Sequence, residues 1–320
     1  MNIIYFIVQQ TMFFSIPLLI VALGGMFSER GGVVNIALEG IMIIGGFAGI
    51  LFIHTMQRNA PGFGGQPLIA AAVVVAAASG AIISVAHAYA SVYMSADQII
   101  SGTAINMFAP AFAVYVARMI RTVQQIPFEN QFRIASVPAL GEIPVIGKLF
   151  FQNVYMTNYL GFIILIAAWL FLYKSRFGLR LRACGEHPQA ADSVGVNVYK
   201  LRSAGIIISG ALAGVGGLVF VIPTSTSFNA TVAGYGFLAL AVLIFGQWKP
   251  GRIMLAAFFF GLMKTISSSY SGIPFLLNLG IHSSFYKMVP FLTTLIVLAF
   301  TSKNSHAPKA VGIPYDKRSR

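Results

Sequence analysis

Two carboxylates stand where an apolar chain rarely keeps them. Glu39 lies in Asn35-Ile-Ala-Leu-Glu39-Gly40, within an apolar stretch, and Asp97 lies in Met94-Ser95-Ala96-Asp97-Gln98, between two others. A carboxylate at the centre of a bilayer costs about 2.5–3.5 kcal/mol on insertion scales, so Glu39 has to face a bundle interior and find a donor. Asn35, one turn earlier on the same helical face, is the nearest candidate. Two roles remain open for Glu39: it lines a route for a polar solute, or it bonds a neighbouring backbone. Ser95 or Asp97 suits the cap of the helix that follows. In an ion-driven carrier, Glu39 or Asp97 would instead be the coupling group. Asn106 and Pro110 lie inside the next apolar stretch, where the proline removes a hydrogen bond. Polar, interrupted helices near the midplane are how transporters build binding cavities. Asn35, Glu39, Asp97, Asn106 and the aromatic Phe237 are therefore the candidate pathway residues.

Other chemistries lack their residues. No G-x-x-x-x-G-K-[ST] occurs, so the chain binds no ATP by a P-loop. No H-E-x-x-H occurs, and the histidines at 54, 87, 187, 282 and 306 are too scattered to suggest a metal site. Ser-Gly pairs at 101–102, 209–210 and 271–272, with His87 or His282, are the ingredients of an intramembrane hydrolase, but no spacing supports one. Cys184 is the single cysteine, which excludes an internal disulfide.

The elements that must hold these residues are membrane helices. The chain has 320 residues, 57% hydrophobic and only 9% charged, with mean hydropathy +0.81. Soluble domains sit near roughly 25% charged, so a soluble enzyme, a disordered protein and a nucleic-acid module are excluded. Nine stretches approach the roughly 20 apolar residues a membrane helix needs: 3–26, 33–53, 68–92, 99–117, 156–173, 203–222, 234–248, 253–270 and 283–301. The stretch 59–117 contains no Lys or Arg and reads as two spans or as one span with a re-entrant element. The expected fold is all-α and polytopic, with about nine (8–10) spans in a domain 1–302 and a basic tail 303–320.

Orientation follows from the bases, and it gives the net charge of +13 a meaning other than nucleic-acid binding. Loops on one side carry fourteen Lys and Arg against five on the other, while Lys264 and Lys287 lie in apolar stretches and are expected to snorkel to an interface. The richer side is expected to be the cytoplasm, with the C-terminus inside, the N-terminus outside and the tail beside anionic lipid. The loop 118–155 then forms an ordered extracytoplasmic cap.

The cytoplasmic loop 174–202 is the most charged part of the chain. Pro188 suits the first position of a helix, Glu186 its positive end, and Gly195 the left-handed residue that stops it. A short helix from 188 to 194 is expected, with Ala190, Ala191 and Val194 on one small face, a shape suited to insertion into a groove on another protein. Gly45-Gly-Phe-Ala-Gly49 and Gly210-Ala-Leu-Ala-Gly214 are small-xxx-small motifs expected to pack within the chain.

Three blocks carry a resemblance. Glu29-Arg-Gly-Gly-Val-Val-Asn-Ile-Ala-Leu-Glu-Gly40, Gly185-Glu-His-Pro-Gln-Ala-Ala191 through Gly195-Val196, and Gly234-Tyr-Gly-Phe-Leu-Ala-Leu-Ala-Val-Leu-Ile-Phe-Gly246-Gln-Trp-Lys-Pro250 occur in that order. They resemble the permease subunits of bacterial ABC importers in the sugar, nucleoside and branched-chain amino-acid group, and the first block resembles the nucleoside-type branch. His187 departs from the asparagine usual in the second block. The resemblance implies a multi-pass protein of the bacterial cytoplasmic membrane with no cofactor and no ATPase site of its own. A separate ATPase would bind the ATP and dock on Gly185, Glu186, Pro188, Ala190, Ala191 and Gly195. It further implies a second, different permease chain and an extracytoplasmic substrate-binding lipoprotein, with lipid around the bundle and no nucleic acid. Nucleosides are the expected solute, with ribose or another sugar and branched-chain amino acids as alternatives.

Overall fold

In lipid every backbone polar group has to be paired within the protein, which leaves helices for long apolar runs. The computed structural model describes residues 3–60, 62–138, 140–145, 147–272, 282–301 and 307–317. Its helices there are α1 (Ile3–Arg30), α2 (Leu38–Asn59), α3 (Gly65–Ala88), α4 (Gln98–Arg121), α5 (Met156–Lys174), α6 (Arg176–Glu186), α7 (Pro188–Ser193), α8 (Val198–Thr224), α9 (Tyr235–Phe245), α10 (Pro250–Ser269) and α11 (Ser283–Thr301). Among the described residues six are long and apolar enough to cross a membrane: α1, α2, α3 with its π-helical extension to Tyr93, α4, α5 and α8. The protein is thus a multi-pass, all-α membrane protein.

The count of nine spans is not reproduced, for physical reasons. The stretch 234–248 holds a helix of only 11 residues, because a break at Gly246–Lys249 ends α9. Helix α10 has 20 residues, but Arg252, Lys264 and Ser267–Ser269 dilute its apolar character; α11 has 19 residues. The base-free stretch 59–117 resolves into two long helices, α3 and α4.

Helices α1 and α8 form the centre, with α8 packed against α1, α2 and α3. Close approach depends on glycine. A side chain on Gly45 would overlap Gly214, and one on Gly80 would overlap the carbonyl of Gly210, so the two small-residue motifs meet inside the chain. A side chain on Gly217 would overlap the carbonyl of Met42.

The two ends of the bundle differ. At one end, β1 (Ile126–Pro127) pairs antiparallel with β4 (Ser227–Phe228), and β2 (Arg133–Ser136) with β3 (Gln152–Tyr155). Asn130 Nδ2 donates to Ile222 O (2.7 Å) and Gln57 Nε2 to Glu129 O (2.8 Å), which ties this cap to the ends of α8 and α2. At the other end lie the break after α1, the α3–α4 junction, α6, α7, the α9–α10 junction and the tail segment 307–317. Their shared face is set by contacts such as stacked Tyr93 and Tyr199 and the Ala310 N to Gly185 O bond. These are the segments that the base count groups together.

Replacing Gly217 with Val should lower stability by about 1–3 kcal/mol or more, since overpacking has no room to relax between two helices. The control is Gly251→Val, where nothing lies within 4 Å. Thermal unfolding in detergent should show the large drop only for Gly217→Val; equal drops would contradict the close α2–α8 contact.

Candidate functional site

The break between α1 and α2 is the first element of the site. Gly31 and Gly32 end α1, with Gly32 at φ +93°, and residues 33–37 leave the helix. Non-helical backbone at membrane depth is tolerated only where protein satisfies it. Ser28 Oγ donates to Val33 O (2.7 Å), Gln98 Oε1 accepts from Val34 N (2.8 Å), and Asn106 Nδ2 donates to Ile36 O (2.9 Å). Asn106 Oδ1 also accepts from Gly40 N (2.7 Å), so one side chain on α4 pins both the break and the start of α2. Asn35 is fully buried and donates to Ser209 Oγ on α8 (2.8 Å). The helix begins at Leu38, five residues later than the apolar run, so Asn35 and Glu39 do not share a helical face.

Glu39 turns to another helix. After β4 the chain is irregular, with Ala230, Ala233 and Gly234 at φ +54°, +53° and +78°, and α9 starts at Tyr235. Glu39 Oε1 accepts from Gly234 N (2.9 Å) and Oε2 from Gly236 N (2.6 Å). The carboxylate sits at the positive N-terminal end of α9 and also in the first turn of α2, two favourable dipole positions. A side chain on Gly236 would overlap the Glu39 backbone, so glycine is required for this contact.

Beside the start of α9 a cavity of about 680 Å³ opens between α9, α10 and α11. Ala233, Gly234 and half-exposed Phe237 line it on one side, Lys264 and Thr294 on the other. The volume falls within the roughly 300–1,000 Å³ of small-molecule sites. Lys264 is thus part of a cavity wall.

The far end of α1 meets the charged loop. Helix α6 packs so closely that a side chain on Gly185 would overlap the carbonyl of Arg30. Arg30 lies 3.9 Å from Glu186, and its guanidinium donates to Trp248 O (3.0 Å). Trp248 Nε1 in turn donates to Glu29 Oε2 (2.5 Å). Helix α7 runs Pro188–Ser193, and Gly195 follows at φ +82°, as the spacing predicts. The tail segment closes over it. Ala310 N donates to Gly185 O (2.9 Å), Gly312 N to Gly32 O (3.2 Å), and Arg202 Nη1 to Ile313 O (2.9 Å). Lys317 lies 3.5 Å from Asp192, and Tyr315 packs on Tyr199 with ring centroids 5.3 Å apart. Cys184, Ala191, Val198 and Tyr315 form a small core there. Burial pushes the Cys184 thiol above its ordinary pKa, against a weaker opposing pull from Arg202, so it packs as a neutral sulfhydryl.

The family described as branched-chain amino acid transport system / permease component matches residues 7–298. The chain belongs to this ABC transporter permease family. It is 42% identical to the nucleoside ABC transporter permease protein NupC of Lactococcus lactis subsp. cremoris, over 99% of this chain and 98% of that one. It is also 42% identical to the guanosine ABC transporter permease protein NupQ of Bacillus subtilis, over 100% and 99%. The putative glucose ABC transporter permease protein TsgC13 of Haloferax volcanii is 28% identical, over 88% and 87%. No solved structure matches the chain.

Within this permease the expected residues separate. Glu39, Asn106 and Asn35 converge on the α1–α2 break, and Phe237 stands across it at the start of α9. Asp97 does not join them: it is exposed and caps α4, accepting from Ile99 N (2.8 Å) and Ile100 N (3.0 Å). Ala191 is buried beneath the tail, so the exposed face of α7 presents Ala190 and Val194 without it. Gly185 and Pro188 are buried as well, and Glu186 is engaged by Arg30 and the tail. Ser101 Oγ does lie 3.0 Å from His87 Nδ1, but His87 is fully buried and its Nε2 faces Val34 O (3.2 Å), which leaves a substrate no access. Among the described residues no three His, Cys, Asp or Glu side chains converge as metal ligands would. Sequence reasoning gave Gln98 and Arg202 no role, and weighed His87 and Ser209 only as hydrolase ingredients; their polar character within apolar stretches was the available signal. It also passed over the tail, read there as a charge signal beside lipid.

Glu39→Ala should cost more stability than Glu39→Gln, because two buried amides lose their acceptor at about 1–3 kcal/mol each while Gln keeps one oxygen. Equal thermal midpoints would contradict the α9 contact. Removing residues 307–320 should expose the basic loop, so that trypsin cuts within 176–202 several-fold faster in detergent. Unchanged cleavage would show that the tail holds nothing.

Proposed function

We propose that this permease is one transmembrane subunit of an ABC importer for nucleosides. The reading is carried by identity of 42%, over nearly all of both chains, to permeases described as transporting nucleosides and guanosine. On this reading the face that holds α6, α7 and the tail is cytoplasmic, in keeping with the excess of Lys and Arg there. Helices α10 and α11 complete the spans, and α9 with the irregular segment before it serves as a broken one. The protein sits in the bacterial cytoplasmic membrane. The strand-bearing end receives the extracytoplasmic binding lipoprotein, and a second, different permease chain closes the pathway.

A separate ATPase binds ATP and docks on the exposed face of α7. Its thrust reaches α6 and, through Gly185, Glu186 and the tail, the end of α1 and the break at 31–37. From there Asn106 and Glu39 pass it to the start of α9, where Phe237 and the cavity respond. The permease needs no cofactor. Glu39, held by two amides, acts as a joint between helices and not as a proton carrier.

The test is uptake of labelled nucleosides, ribose and leucine by cells with and without this gene, repeated with the partner ATPase inactivated. The expected result is nucleoside uptake lost in both cases; uptake that survives loss of the ATPase overturns the reading. Val194→Glu and Ala190→Trp, on the exposed face, should abolish co-purification with the ATPase and leave the thermal midpoint within about 1 °C. Ala191→Trp should lower the midpoint, since overpacking a small core costs about 1–3 kcal/mol. Normal co-purification of Val194→Glu and Ala190→Trp would contradict docking on α7.

A further inference from the structure

The wall of the cavity is uneven in what it offers a ligand. Lys264 is the charged side chain on it, and among the described residues its ammonium has no hydrogen-bond or ion-pair partner. The backbone and threonine donors nearby are taken. Gly234 N and Gly236 N serve Glu39, Tyr235 N donates to Val232 O (3.1 Å), and Leu238 N to Gly234 O (3.0 Å). The Thr294 hydroxyl donates to Pro290 O (2.7 Å). What remains is one cationic donor, the unpartnered hydroxyl of buried Tyr235, the half-exposed ring of Phe237, and apolar walls. A ligand that fits is a flat ring system with acceptors along one edge. The N-terminal end of α9 offers no anion site, because Glu39 already occupies it.

We propose that Lys264, on the wall opposite Phe237, selects nucleosides whose base carries a 6-oxo group, the oxopurines inosine and guanosine. This rests on the nucleoside reading above. An oxopurine presents two adjacent acceptors, O6 and N7, and an ammonium can bond both. Adenine presents N7 beside an amino donor, and cytosine presents an amino donor at the matching edge, so each sets a donor against the ammonium. Uracil offers one acceptor and falls between. Phe237 supplies the face on which the base stacks. A base that leaves the lysine unpaired in an apolar cavity forfeits binding.

The experiment uses the assembled importer, with its ATPase, second permease and binding protein unchanged, and measures uptake of inosine, guanosine, uridine, cytidine and adenosine below saturation. The readout is the inosine-to-adenosine uptake ratio, which does not depend on how much protein is inserted. Lys264→Met should lower that ratio by about 10-fold, as expected for losing one specific base contact, while Lys264→Arg retains most of it. An unchanged ratio overturns the proposal, as does an equal loss for all five solutes, since a merely structural lysine would give that. Inosine monophosphate that competes better than inosine, and loses that advantage in Lys264→Met, overturns it in favour of an anion site. If the unaltered importer takes up none of the five, the nucleoside reading itself fails.

Discussion

A single carboxylate holds the centre of this permease together. Glu39 begins α2 and accepts the amides that begin α9. Both helices start inside the bundle, where their first-turn N–H groups would otherwise have no water to bond. A charge buried there would be costly alone, and two helix ends facing it would be costly without it; together they satisfy each other. The arrangement needs glycine at 236, since a side chain would overlap the Glu39 backbone. It also needs Asn106, which fixes the unwound segment and the start of α2 at once.

That joint links two parts of the molecule that lie at different depths. On one side is the cavity bordered by Phe237 and Lys264. On the other is the cluster of α6, α7 and the tail, joined to the end of α1 through Gly185 and Arg30. The tail hydrogen-bonds Gly185 and Gly32 together, so the short helix and the break behave as one piece. Packed interfaces of this kind switch between discrete arrangements more readily than they deform. A push on α7 therefore has a continuous, tightly packed route to the cavity.

Much of this is legible in the sequence. Long apolar runs with few charges gave α1 to α5 and α8, because lipid permits little else. Pro188 and Gly195 bracketed α7 closely, since their backbone preferences act locally. Asp97 was legible as a cap for the same reason. The rest depends on distant partners. Hydropathy continues through Val33, Val34 and Ile36, so it cannot see that Gln98 and Asn106 hold this backbone unwound. The run 234–248 reads as a span because the break after Phe245 opens on Gly246 and holds Trp248, with Gln247 its one polar residue before Lys249. Ala191 reads as part of an outward face because the tail, whose sequence shows only a run of charge, packs Tyr315 over it.

The most direct measurement is hydrogen exchange of the Gly234 and Gly236 amides in the assembled importer, with and without ATP trapped in its motor subunit. The account predicts slow exchange at rest, as for buried bonds to Glu39, and a marked speeding when the motor is locked on ATP. Exchange at these two amides that is fast at rest, or indifferent to the nucleotide, would contradict the claim that this joint carries motion from the docking helix to the cavity.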